Sequence, residues 1–186
     1  MLRNGDTIEN PMTKERFTLL RTAEETGGEL LRFDVRVGAG GAAVGGVMHV
    51  HPKQEERFTI EAGRIEATVD DRREVLGPGE VINIPPGTPH TWKNASDEEL
   101  RFVLEFRPAG RWQELFETMF ALARDGEVYE KGIGDEYQMA LILDAYEDHQ
   151  WIVGPPIEEQ KENAARLAAE ARKRGYEAYR PYYPEH

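Results

Sequence analysis

Three imidazoles and one carboxylate dominate the chemistry available to this chain of 186 residues. His49 and His51 lie two apart in the run Val47-Met48-His49-Val50-His51. On a strand, residues i and i+2 project to one side, so both rings enter one space while Met48 and Val50 face away. Pro52 then turns the chain, and Glu56 begins a strand on which Phe58 and Ile60 share its face. Glu55 competes for the same role, but strand parity favours Glu56. A turn-rich run over 79–90 delivers His90. Three neutral imidazole nitrogens and one carboxylate oxygen suit a divalent transition metal ion (Fe, Mn, Ni, Co, Cu or Zn) and leave room for water or substrate. With no cysteine, disulfides, zinc ribbons, iron–sulfur clusters and thiol nucleophiles are excluded, and the five histidines supply all the imidazole available.

The elements that must position these groups change character near residue 107. From residue 16 to 107 the hydrophobic period is two. Leu31, Phe33, Val35 and Val37 alternate with Arg32, Asp34 and Arg36, and Phe102, Leu104 and Phe106 alternate with Arg101, Val103 and Glu105. Both read as strands with one dry and one wet face. Short strands over 57–60, 64–69, 73–76 and 81–84 are separated by Ala62-Gly63, Asp70-Asp71, Gly77-Pro78-Gly79 and Pro85-Pro86-Gly87. Many short strands predict a sandwich or barrel. After Pro108-Ala109-Gly110 the period is helical. Trp112, Leu115, Phe116, Met119, Phe120 and Ala123 share one face, Asp135 with Gln138 resembles a capping box for a second helix reaching Tyr146, and a third runs over 158–174 with Gly175 as its stop. The chain is thus expected to be mainly β over 1–107, with a helical extension over 108–186. The last residues carry Tyr176, Tyr179, Tyr182 and Tyr183, an arm expected to pack on its own body or on a sister subunit. His149 and His186, outside the strand motifs, are expected to be solvent-exposed bystanders.

The chain carries two ordered motifs. His49-x-His51 is followed by Glu56 and, after six intervening residues, by Gly63. Gly79, Pro85, Gly87, His90 and Asn94 form Gly-x5-Pro-x-Gly-x2-His-x3-Asn. Together they resemble the cupin family over roughly residues 30–107, departing from it at Ala43, where the family has a glycine ahead of the first histidine. The resemblance implies an antiparallel β-barrel of jelly-roll type with a metal inside, held by His49, His51, Glu56 and His90. The distance to Gly63 also favours Glu56 over Glu55.

Extending strand parity from the ligands gives Val47, Phe58, Ile60, Trp92, Phe102 and Leu104 as candidates for a mostly apolar substrate pocket. Every barrel histidine is claimed by the metal set, and no inward cluster of Arg or Lys is apparent. That argues against the metal-independent sugar epimerases of the wider group. The resemblance instead implies a metal-dependent small-molecule oxidoreductase of dioxygenase type acting on an enolic or phenolic substrate, with Glu56 as ligand and catalytic base. A non-catalytic metal- or small-molecule-binding protein and a metal-dependent isomerase are the alternatives. The formal charge of −12 argues against a nucleic-acid backbone or an anionic membrane as partner, and the extension, with 9 basic and 16 acidic residues, offers no basic recognition face. No targeting run or stretch of ~20 apolar residues is visible. A cytoplasmic homodimer is the expected setting.

Overall fold

The computed structural model describes residues 1–42, 46–127 and 134–183. Ala43 and His186, both singled out above, lie outside the described residues. The strands are β1 (Thr7–Asn10), β2 (Glu15–Arg21), β3 (Leu31–Val37), β4 (His49–Val50), β5 (Glu55–Ala62), β6 (Ile65–Val69), β7 (Arg72–Leu76), β8 (Val81–Ile84), β9 (His90–Asn94) and β10 (Leu100–Arg107). Helices α1 (Trp112–Arg124) and α2 (Glu136–Ala145) follow, then the two-residue strand β11 (Trp151–Ile152) and helix α3 (Ile157–Lys173).

Two antiparallel sheets face each other, as a jelly roll requires. One runs β1-β2-β3-β10-β5-β8 and the other β11-β4-β9-β6-β7. The alternation read from the sequence puts Leu31, Phe33, Val35 and Val37 inside. The central strand β10 departs from it, because Val103 and Glu105, expected on a wet face, are also buried. Its neighbours β3 and β5 supply the cover: Arg32 and Arg57 bring their guanidinium groups to within 3.7 and 3.9 Å of the Glu105 carboxylate, and Arg107 from β10 itself lies 3.2 Å away. Long cationic side chains thus dry a face that the pattern alone assigns to solvent.

Turn chemistry closes the barrel where the motifs place it. Gly63 has φ +73, and a side chain there would come within 2.8 Å of the Glu99 carbonyl. Asn94 donates its amide to the carbonyls of Val37, Gly38 and Glu98 and accepts from Ser96, pinning the end of β9 to the end of β3.

The helices do not stand apart from the sheets. Trp112, Leu115 and Phe120 of α1 share one continuous hydrophobic cluster with Phe17, Phe33 and Phe106. Asp135 caps α2 by accepting from the Tyr137 and Gln138 amides. The reciprocal half of the expected box is absent, because the Gln138 side chain donates to the Glu177 carbonyl. In α3 the stripe of Ala164, Ala168 and Ala171 is buried and Leu167 only partly so; Gly175 follows at φ +82. The tyrosine arm lies on its own body: Tyr179 donates to Glu117, and Tyr182 receives the Glu9 amide and packs under Arg124. Among the described residues no helix is long and apolar enough to cross a membrane.

Candidate metal centre

The four residues come from both sheets. His49 and His90 are direct cross-strand partners on β4 and β9. His51 follows β4, and Glu56 stands on β5 of the opposite sheet, in register with Phe106 and Ile84. All four are buried, and one potential ligand atom from each lies within 4.8 Å of the others. Glu55 is only half-buried and stands outside this cluster.

Backbone carbonyls set the tautomers. His49 Nδ1 donates to the Val47 carbonyl at 2.9 Å, His90 Nδ1 to Thr88 at 2.9 Å, and His51 Nδ1 to His149 at 2.7 Å. A neutral ring whose Nδ1 carries the proton presents a bare lone pair at Nε2. Two of those lone pairs converge on the Glu56 carboxylate, whose Oε2 lies 2.9 Å from His90 Nε2 and 3.3 Å from His51 Nε2 without hydrogen-bonding alignment. Buried acceptors crowded together without a donor carry an unmet electrostatic demand. A divalent cation meets it, and outer carbonyl partners that fix ligand tautomers are the usual support of such ions. The residues present therefore fit a metal ion.

Protonation follows the same logic. Burial and the neighbouring His51 and His90 push His49 down to about 3. Burial opposes the charge on Glu56, but the adjacent His51 and His90 outweigh it and hold the carboxyl below the usual range. His90 is raised, because contact with Glu56 overcomes its burial.

His49, His51 and Glu56 face a cavity of about 160 Å³, while His90 stands behind them. Of the pocket residues expected from parity, Trp92 and Leu104 line this cavity. Phe58, Ile60 and Phe102 lie in the packed core beneath it instead, and Val47 serves through its carbonyl. A small barrel fills most of its interior with side chains, which is why parity alone overcounts the wall. The rest of the wall comes from elsewhere: Phe17 from β2, Trp112, Phe116 and Phe120 from α1, Met139 and Ile142 from α2, and Tyr146 just beyond it. Trp112 stacks on Phe106 at 4.3 Å and meets His51 edge to face at 4.7 Å, so α1 covers the cluster.

Two contributors escaped the sequence reading. His149 is buried, not exposed as expected, and its Nε2 accepts the Arg111 amide at 2.7 Å while its carbonyl holds His51. Burial pushes His149 down to about 4, keeping it neutral and able to accept. It reaches the site because β11 pairs with β4, a juxtaposition that no local pattern signals. Glu15, at the start of β2, is the second: it is buried and lines the same cavity.

The cupin domain is the family whose model matches, over residues 33–106. Over 96 residues, about half of the chain, the sequence is 29% identical to quercetin 2,3-dioxygenase of Bacillus subtilis, of which it spans 28%. Over 60 residues it is 35% identical to Protein SchB of Streptomyces halstedii, of which it spans 44%. The chain therefore spans less than half the length of either relative. Among solved structures, KdgF from Halomonas sp. is similar at 17% identity and TM-score 0.47, covering 55% of this chain and 86% of that one. An RmlC-like cupin from Shewanella frigidimarina is similar at 20% identity and TM-score 0.48, covering 59% and 90%. Residues 33–106 of this chain thus match a cupin domain, with both motifs in order and two facing sheets around them.

Proposed function

We propose that this protein is a metal-dependent oxidoreductase of dioxygenase type, acting on a small enolic or phenolic substrate. The wall of the cavity carries the reading. Beside the cluster it is aromatic and aliphatic, with few polar groups (Asn10, Thr13, Glu15, Tyr146 and Gln150). A sugar isomerase needs a ring of hydroxyl-binding groups, and this wall offers too few. A flat, electron-rich ring or enol fits it. The volume is close to the roughly 150 Å³ of an engineered apolar cavity that takes benzene, which favours a single-ring phenol or small enol over a multi-ring flavonoid. The likeness to quercetin 2,3-dioxygenase supports the reaction class, over the matched quarter of that enzyme.

His49, His51, Glu56 and His90 would hold the ion. A bound divalent metal supplies Lewis-acid polarisation of a substrate oxygen and, where redox-active, a path for electrons to dioxygen. The chain's own contribution is to fix the three Nε2 lone pairs through carbonyl bonds, to exclude water with Trp112 and Phe116, and to hold the substrate ring against Trp92 and Phe106.

The test is oxygen uptake by protein loaded separately with Fe, Mn, Ni, Co or Cu, against a panel of monocyclic phenols, catechols and small enols. Uptake that tracks metal content and saturates with substrate is the expected result; no uptake with any metal and any panel member would falsify the oxygenase reading. A second reading, a non-catalytic binding protein, draws on the cover that α1 lays over the cavity, and saturable binding without turnover would select it. A cytoplasmic homodimer belongs to the same proposal and is checked by fractionation and by sedimentation.

A further inference from the structure

Glu15 is a carboxyl in a position that its strand reserves for apolar side chains. Along β2 the inward face reads Glu15, Phe17, Leu19, all buried, while Arg16 is exposed. Glu15 and Phe17 line the cavity that His49, His51 and Glu56 also face. The turn before β2 serves this carboxyl. Asn10, its register partner on β1, accepts the Met12 and Thr13 amides, and the Thr13 hydroxyl so placed donates to Glu15 Oε2 at 2.5 Å.

Among the described residues no cationic side chain offsets the burial. The titratable groups sharing the cavity are Glu56 and His51 from β5 and the end of β4, His49 from β4, and Tyr146 after α2. Arg16 and Arg36, paired in register on β2 and β3, lie on the outer side, where they meet Glu9 and Glu99. Lys14 is tied to the Ala39 carbonyl. Burial, only partly offset by the Thr13 hydrogen bond and reinforced by the charge of Glu56, pushes Glu15 up to about 7. A purely structural role does not require a carboxyl here, since an uncharged side chain would occupy the site without that penalty. A proton-transfer role does, because a general base works best when poised near the working pH.

We propose that Glu15, and not the ligand Glu56, is the base that takes the hydroxyl proton of the substrate. The inference rests on the oxygenase reading above and reassigns one role within it. Glu56 belongs to the four-residue set that would hold the ion, so using it as a base dismantles the cluster. Glu15 reaches into the same cavity without belonging to the cluster. In the step proposed, the substrate O–H bond breaks, its proton moves to the Glu15 carboxylate, and the electron pair stays on the substrate oxygen. Nothing is oxidised or reduced, and the protonated Glu15 is then the donor that returns a proton to product.

The experiment uses full-length protein loaded with zinc, which is redox-silent and prevents turnover, and 4-chlorophenol as the probe. Binding is followed by the phenolate absorption band and by calorimetry in two buffers of different ionisation enthalpy. The pH is held above the point where free Glu15 ionises and below that where free 4-chlorophenol does. The wild type is expected to show the phenolate band with almost no proton released to buffer, because Glu15 retains it. E15Q, checked for unchanged zinc content, is expected to show the same band with one proton released per ligand bound. T13V, which removes the hydrogen bond to the carboxylate, is expected to keep the wild-type count with its pH midpoint moved upward. Release of one proton by the wild type, or an unmoved midpoint in T13V, overturns the role of Glu15 while leaving the oxygenase reading intact. Absence of a phenolate band from every zinc-replete protein overturns the reading on which the role rests.

Discussion

Burial disfavours the charged form of Glu15 and pushes its carboxyl from 4.5 to about 7. A group raised in this way costs nothing below 4.5, where folded and unfolded chains both hold the proton. It costs progressively more as the pH climbs toward 7, reaching about 3 kcal/mol in neutral and alkaline solution at roughly 1.4 kcal/mol per unit. In metal-free protein, E15Q is therefore expected to match the wild type in urea denaturation near pH 4 and to exceed it by about 3 kcal/mol around pH 8. Equal stability of the two proteins at the higher pH would contradict this burial account. At His90, which is fully buried behind the cluster, alanine is expected to abolish metal retention through dialysis against a weak chelator, with the fold kept, as read by elemental analysis and circular dichroism. The four clustered residues were legible because strand parity and two ordered motifs describe them locally. Glu15 was not. Lys14, at φ +61, turns the chain just before it, and Thr13-Lys14-Glu15-Arg16 reads as an ordinary charged surface run.

The ligand strand β4 is two residues long and owes its position to what flanks it. On one side β9 pairs His90 with His49, and on the other β11 pairs Trp151 with Val50 and Ile152 with His49. The segment before β11 is anchored at Gly110, whose φ is +54 and where a side chain would come within 2.9 Å of His149 Nε2. G110A is expected to displace His149, and with it the carbonyl that orients His51. Metal affinity measured by chelator competition then falls about tenfold or more, the scale seen when outer partners of a ligand are disturbed, while α1 keeps its helicity. Unchanged affinity would mean that His51 is held without His149. Helices α1, α2 and α3 were readable from their period, and β3, β5 and β10 from alternation. β11 was not, since two residues carry no period, and its pairing is decided by packing of Trp151 with Val50 and Ala164.

Across the whole molecule, both ends of the described chain meet at one buried carboxylate. Glu117 accepts the Leu2 amide at 2.9 Å, the Gln113 side chain at 3.1 Å and the Tyr179 hydroxyl at 2.8 Å. E117A leaves the Leu2 amide without its partner and takes one of the two acceptors from the Gln113 amide, which keeps the Leu2 carbonyl, at roughly 1–3 kcal/mol for a buried group left unsatisfied. Denaturant unfolding is expected to show that loss, and limited proteolysis to open the arm around Tyr179 first. Continuity of the core from Phe33 through Phe116 to Phe120 is not legible in the sequence, where the change of period near residue 107 marks a helical extension without showing which of its side chains meet the sheets. The single bond from His51 to the His149 carbonyl has a thermodynamic corollary. Whatever ion the cluster takes up and the docking of the 146–152 segment are coupled, and coupling free energies are reciprocal. Loading the cluster must therefore slow amide hydrogen exchange at Trp151 and Ile152. By the same factor, loosening that segment must weaken the equilibrium affinity for the ion, so the extension works as a thermodynamic latch on the barrel it follows.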